Sequence, residues 1–581
     1  MESLIRTRHL FYDHVSPNGS RVTALRGISL EVQKGELVAL VGANGSGKST
    51  LARHFNALHI PTRGRVWVND LDTSLAINHA AIRSCVGMVF QNPEDQMIAS
   101  VVEEEVAFGM ENLGIPRMEM LRRIRSVLKE YELWKDRDRP PHLLSSGQIQ
   151  RLALAGVLVM RPECIIFDET TAMLDPLGRQ TVMHSIHEMH DQGLTIIYIT
   201  HAMEEAAQAE RIIVMERGQV AMDGTPRSIF HNRKRIEAYG LELPRANSLA
   251  RHLSRWIPSI SEADLSEDDL LDNLPNFSGK TYRSVNRSDG NQASTEVPLI
   301  EIKNLKHKYL EGTPLEHRSL NGVSLTIDQG DVHALLGATG SGKSTLLQHI
   351  NGLYRPQSGR IRVDRYNLND PNINMQLLRS MVGLVFQNPD MQLFEQYVGD
   401  EIAFGPRLTG LTGQELRERV RQAMETVGLG FNKYKDRITM GLSGGERKKV
   451  TLASALALNP HILLLDEPLA GLDPQSRKSL IESLNRMVES GLTLILSSHN
   501  IDEITYLASH VSLVRAGKLT ASGEASVIFG DPQVLEQAGL IGPLVPRVAN
   551  RLRSLGWPLP GGIYREKELL TALRIIQEGA P

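Results

Sequence analysis

Cysteine is nearly absent, with Cys85 and Cys164 the only two in 581 residues. So few exclude a disulfide-stapled secreted scaffold. Both lie in apolar, strand-like surroundings and read as buried structural thiols in a reducing compartment. No apolar run approaches the ~20 residues needed to span a bilayer. The opening MESLIRTRHLFYD lacks the apolar core of a signal peptide, so the expectation is a cytosolic protein. Charge of one sign is missing too, with 64 Lys and Arg against 67 Asp and Glu. That balance argues against holding nucleic acid by bulk electrostatics, and no nucleic-acid partner is expected.

What is present is too long a chain for one core, and it repeats. GANGSGKST at Gly42 returns as GATGSGKST at Gly337, QNPEDQ at Gln91 as QNPDMQ at Gln387, and LSSGQ at Leu144 as LSGGE at Leu442. His201 returns as His499, and GLELPRANSLARHL after Gly240 resembles GLIGPLVPRVANRL after Gly539. Each half therefore carries its own C-terminal extension, giving domains at 1–274 and 298–581 with a linker at 275–297. The linker, PNFSGKTYRSVNRSDGNQASTEV, is polar and aperiodic and reads as a flexible tether with a reach of roughly 25 Å. The acidic stretch 262–272 reads as a solvated helix whose apolar stripe is Leu265, Leu270 and Leu271.

Each half opens its chemistry with an apolar strand, ELVALV (36–41) or VHALLG (332–337), followed by a glycine-rich loop and a helix. That context makes a phosphate-binding loop. Gly42, Asn44, Gly45, Gly47 and Thr50, and likewise Gly337, Thr339, Gly340, Gly342 and Thr345, bring backbone N–H groups to phosphate oxygens at a helix start. Lys48 and Lys343 supply a point charge, and the Ser49 and Ser344 hydroxyls are candidate Mg²⁺ ligands. Downstream, CIIFDE (164–169) and ILLLDE (462–467) end apolar strands in two acids. Asp168 and Asp466 would hold the Mg²⁺ shell, and Glu169 and Glu467 would polarise the attacking water.

LSSGQ and LSGGE resemble the signature of ABC ATPases, and the chain outside the tether is similar to two such domains in tandem. The implied fold is α/β: two P-loop NTPase domains, each with a helical signature subdomain and a short C-terminal extension. The resemblance assigns Gln91 and Gln387 to the Mg²⁺ and water network, and His201 and His499 to the γ-phosphate. It assigns Tyr12 and Tyr309 to stacking on adenine, and Ser145, Gly147, Ser443 and Gly445 to the γ-phosphate of the opposite half. It thereby implies pairing of the two halves within one chain, with ATP and Mg²⁺ as ligands. Ser146 and Glu446 depart from the LSGGQ pattern; with the other motif residues intact, both sites are expected to hydrolyse ATP without a phosphoenzyme.

QNPEDQMIASVVEEEVAFG (91–109) matches QNPDMQLFEQYVGDEIAFG (387–405) at nine of nineteen positions. This resembles the ATPases of energy-coupling factor (ECF) importers, as does TTAMLDP (170–176). The implied job is powering uptake of vitamins or transition-metal ions from the cytoplasmic face of the membrane, with a transmembrane scaffold subunit and small substrate-binding membrane subunits as partners. Glu104, Glu105, Asp400 and Glu401 are the expected partners of the scaffold's arginines. A tandem sugar-importer ATPase explains the phosphate loops but not the repeated QNPxxQ and AFG. A ribosome-acting tandem protein would need a basic interdomain arm, which the near-neutral tether does not provide.

Overall fold

The computed structural model describes residues 2–15, 21–90, 93–144, 146–171, 176–261, 266–277, 297–313, 316–472 and 474–578. The chain resolves into two compact units, Met1–Arg245 and Ala246–Pro581.

In the first unit a six-stranded sheet runs in the order Gln219–Gly224, Arg211–Glu216, Leu37–Val41, Thr195–Ile199, Cys164–Asp168, Val86–Val89. Every neighbouring pair is parallel except the Arg211–Glu216/Gln219–Gly224 hairpin. The strands Leu37–Val41, Cys164–Asp168 and Thr195–Ile199 are buried along their whole length. Such burial on both faces is why they read as unbroken apolar runs rather than alternating ones. The register sets Asp168 beside Ile199 at the ends of adjacent strands, so both acids and the loop leading to His201 emerge at one sheet edge. A second, antiparallel sheet pairs Arg21–Gln33, Ser3–Val15, Arg63–Val68 and Leu71–Asp72. Helices Val102–Asn112, Arg117–Glu130 and Ser146–Leu158 close around their own core, including Val106, Met110, Leu128 and Leu152.

The second unit repeats this plan with a six-stranded sheet from Val382–Val385 to Lys518–Glu524 and a four-stranded sheet beside it. It also contains the helical segment 246–277. Ala250, Leu253, Leu270 and Leu274 share one buried cluster with Val548, Ala549, Leu552, Leu569 and Leu573. Arg547 pairs with Glu267 at 2.6 Å, and His252 contacts Glu566. Leu270 is fully buried and Leu271 packs against this cluster, while Leu265 lies outside the described residues. The start of the tether is pinned as well: Trp557 Nε1 donates to the Pro275 carbonyl at 2.9 Å, and Phe277 N to the Leu555 carbonyl at 2.9 Å. Residues 278–296 lie outside the described residues.

Candidate nucleotide sites

In each unit the phosphate loop joins a buried strand to a short helix, Lys48–Phe55 or Lys343–Ile350. Gly47 caps the first helix at φ 103°, where a Cβ would lie 2.9 Å from the Ala24 carbonyl oxygen. Gly342 repeats this at φ 105°, 2.6 Å from the Ser319 carbonyl oxygen. Only glycine meets both demands cheaply. Lys48 is 5% exposed, and its Nζ donates to the carbonyls of Gly42 (2.9 Å) and Ala43 (3.2 Å). Lys343 Nζ donates to Gly337 (2.7 Å) and Ala338 (3.0 Å). Each ammonium also lies within ion-pair range of the neighbouring glutamate: 3.9 Å to Glu169 and 3.8 Å to Glu467.

The paired acids are set apart by their surroundings. Burial pushes Asp168 above the ordinary carboxylate range against the opposing Ser49 hydroxyl, which donates to Asp168 Oδ1 at 2.8 Å. Burial raises Asp466 likewise, opposed by Ser497 and Ser344; Ser497 Oγ donates to Asp466 Oδ1 at 2.5 Å. Glu169 and Glu467 end below the usual range. Burial is the largest influence and pushes upward, but the adjacent histidine and lysine together outweigh it. Each glutamate thus favours the ionised form that a general base needs. His201 Nε2 lies 2.8 Å from Glu169 Oε1, and His499 Nδ1 lies 2.9 Å from Glu467 Oε2. Both glutamates sit in left-handed backbone, at φ 54° and 48°, an uncommon state for a non-glycine residue that clusters at functional sites.

Among the described residues no group of three or more His, Cys, Asp or Glu is spaced for a metal ion. A hydroxyl beside one carboxylate, as at Ser49 and Asp168, fits Mg²⁺, which takes few protein oxygens and completes its shell with phosphate and water.

The remaining candidates divide. Gln91 and Ser145 lie outside the described residues, and Gln387 is half-buried. Ser443 starts the helix Gly444–Ala457 and forms a capping box with Glu446. Tyr434 Oη also donates to Glu446 at 2.9 Å. The glutamate that departs from the signature pattern therefore has a local task as the third helical residue of that box, a spacing legible in the sequence. Tyr12 lies face to face with His59 at 4.8 Å between ring centres, whereas the Tyr309 hydroxyl meets Thr345 Oγ1 at 3.0 Å. Tyr309 is thereby tied to its phosphate loop.

Glu105 and Glu401, the expected partners of the scaffold's arginines, each accept two backbone amides from the loop that precedes their helix. Glu105 Oε2 accepts from the Ile98 and Ala99 amides at 2.9 and 2.8 Å, and Glu401 Oε2 from Phe394 and Glu395 at 3.0 and 2.8 Å. Glu401 is only 4% exposed. Asp400 pairs with Arg407 at 2.8 Å, and Glu104 is exposed. The second glutamine of QNPxxQ is also structural: Gln96 Oε1 accepts from Phe90 N at 3.3 Å and Gln392 Oε1 from Phe386 N at 3.2 Å.

This loop, acid pair and histidine, built twice on a mostly parallel sheet, define a nucleotide-hydrolysing fold. The ABC transporter family profile matches residues 25–172 and 320–470. A protein of Caldanaerobacter subterraneus subsp. tengcongensis, provisionally named an ABC transporter ATP-binding protein, is 37% identical over 91% of this chain and 93% of its own length. The energy-coupling factor transporter ATP-binding protein EcfA1 of the same organism is 46% identical over 44% of this chain and 92% of its own. EcfA1 of Clostridium novyi is likewise 46% identical, over 47% of this chain. The chain belongs to the ABC transporter family as a tandem ATP-binding protein, an ATPase whose hydrolysis is coupled to transport.

Proposed function

We propose that the chain is the energy-coupling component of an ECF-type importer, seated on the cytoplasmic face of a membrane and powering uptake of vitamins or transition-metal ions. Its partners on this reading are a transmembrane scaffold subunit and small substrate-binding membrane subunits. The observation that carries it is the QNPxxQ segment with its downstream AFG in both halves, supported by the 46% identity to EcfA1 proteins. Exposed apolar side chains beside these segments suit a docking face: Ile98 and Phe108 in one half, Met391, Phe394 and Phe404 in the other. No helix among the described residues is long and apolar enough to cross a membrane, so on this reading the scaffold supplies the spanning segments.

The residues then take the following roles. Lys48 and Lys343 exchange neutral carbonyl partners for the β- and γ-phosphates of ATP. Glu169 and Glu467, held ionised, accept a proton from the water that attacks the γ-phosphorus as ADP departs. His201 and His499 orient them. Mg²⁺ held at Ser49 and Asp168, and at Ser344 and Asp466, would neutralise charge on the phosphate oxygens. Pairing of the halves within one chain is favoured by the high local concentration that covalent linkage gives.

Affinity purification from detergent-solubilised native membranes, with mass spectrometry of the co-purifying proteins, tests the proposal. Recovery of a polytopic scaffold with several small apolar proteins is expected. Recovery of no membrane protein would sink the importer reading and leave the ATPase intact.

A further inference from the structure

The first unit holds a buried carboxylate that the roles above do not use. Glu205 lies on the short helix Met203–Ala206 and is 6% exposed. Its Oε2 accepts from Thr200 Oγ1 at 2.5 Å and from Thr171 Oγ1 at 2.9 Å. Its Oε1 is buried without a hydrogen-bond partner. Thr171 stands two residues after Glu169, and Thr200 immediately precedes His201. One carboxylate oxygen therefore joins the two chain segments that present Glu169 and His201 to each other. Tyr198 fastens the same helix from the strand below, its hydroxyl donating to the Glu205 carbonyl at 2.6 Å. The Ala202 amide donates back to Thr200 Oγ1 at 3.0 Å.

The fold does not need two of these polar groups there. In the second unit Glu205 and Thr200 return as Glu503 and Ser498, but the positions matching Thr171 and Tyr198 are Leu469 and Leu496, both buried. A buried hydroxyl is costly unless it is hydrogen-bonded, a demand that a leucine does not make. In the first unit Thr171 meets that demand at Glu205, at the point where the two reactive segments meet.

We propose that Glu205 is a positioning residue of the first nucleotide site. It latches the His201 segment to the segment following Glu169, so that imidazole and carboxylate meet in register. The Thr171 arm of the latch belongs to the first half alone, since Leu469 has no hydroxyl to donate. The inference rests on the roles proposed for Glu169 and His201. It makes the two sites mechanically unequal: in the first the segments are joined through the Glu205 carboxylate, and in the second Ser497 joins them, its Oγ accepting from Glu467 N at 3.0 Å and donating to Asp466 Oδ1 at 2.5 Å.

The test uses the purified full chain, with ATP turnover by phosphate release, nucleotide affinity by a fluorescent ATP analogue, and the thermal midpoint as readouts. Thr171→Leu imports the residue that the second half already tolerates, and Glu205→Gln keeps the shape of the side chain. Measured in a Glu467→Gln background, so that turnover reports the first site, each is expected to lower kcat about ten-fold, the scale of a small misplacement of reacting groups, with KM and affinity nearly unchanged. Thr171→Ser keeps the hydroxyl and should turn over like wild type. The combined Thr171→Leu/Glu205→Gln variant should be no worse than either single one, because both break one network. Wild-type turnover in Thr171→Leu would overturn the latch. So would an equal loss in Thr171→Ser, or a fall in kcat matched by equal losses of affinity and thermal midpoint. Glu169→Gln, run in the same Glu467→Gln background, separates the failures: if it retains turnover, the assigned base is wrong; if it loses turnover while Thr171→Leu does not, only the latch is.

Discussion

Replacing Glu401 isolates the part of the Q-loop architecture that rests on a single buried charge. Glu401 Oε2 receives two backbone N–H groups, from Phe394 and Glu395, in a nearly fully buried position. Hydrogen bonds to a charged group each contribute about 1.5–3 kcal/mol. Part of that is offset here, because burial, the largest influence on this carboxyl, raises it above the ordinary range. A net local contribution of about 2 kcal/mol follows, close to a thirty-fold change in an opening equilibrium. Hydrogen exchange at the Phe394 and Glu395 amides reads that opening directly, without needing the two-unit chain to unfold in one step. Glu401→Ala should speed exchange at both amides by about thirty-fold, whereas Glu401→Gln, which keeps an acceptor oxygen in place, should change it by about three-fold or less. The pH dependence has a defined sign. A carboxyl raised on folding binds its proton more tightly in the folded state, so its ionisation weakens the wild-type segment as pH rises above the usual carboxylate range. The Glu401→Gln variant lacks that loss, and its advantage should grow over the same window. Equal exchange in the Ala and Gln variants would refute the argument, because the lost volume would then matter and the acceptor would not.

Glu169→Gln and Glu467→Gln should each reduce steady-state turnover, with a loss of ~10²–10⁴ at the altered site and ATP binding retained, as measured by phosphate release and nucleotide affinity. Gly342→Ala should weaken ATP binding, since a Cβ there lies 2.6 Å from a backbone oxygen in a left-handed conformation; a titration with a fluorescent nucleotide checks it. Leu552→Ala should destabilise the cluster that holds 246–277 by about 2–5 kcal/mol, seen as faster proteolysis within 246–277.

Much of the site was legible because its chemistry is local in sequence. A phosphate loop needs its glycines, lysine and serine within nine residues, and the two acids follow one another at a strand end. The duplication, the buried strands and the S-x-x-E capping box at Ser443–Glu446 are readable for the same reason. The amide bonds of Glu105 and Glu401 were not, because an acid on a helix looks alike whether or not it accepts amides from the preceding loop.

The sequence by itself determined that the chain contains two copies of a nucleotide-hydrolysing unit, and which lysines, acids and histidines furnish each copy. Tertiary structure decided what long-range proximity alone can decide. It placed 246–277 in one core with 544–573, set Tyr12 against His59 and Tyr309 on Thr345, and tied Thr171 to Thr200 through Glu205. Each of these contacts joins residues whose spacing in the chain has no period, so only the packed sheet and its crossovers bring them together.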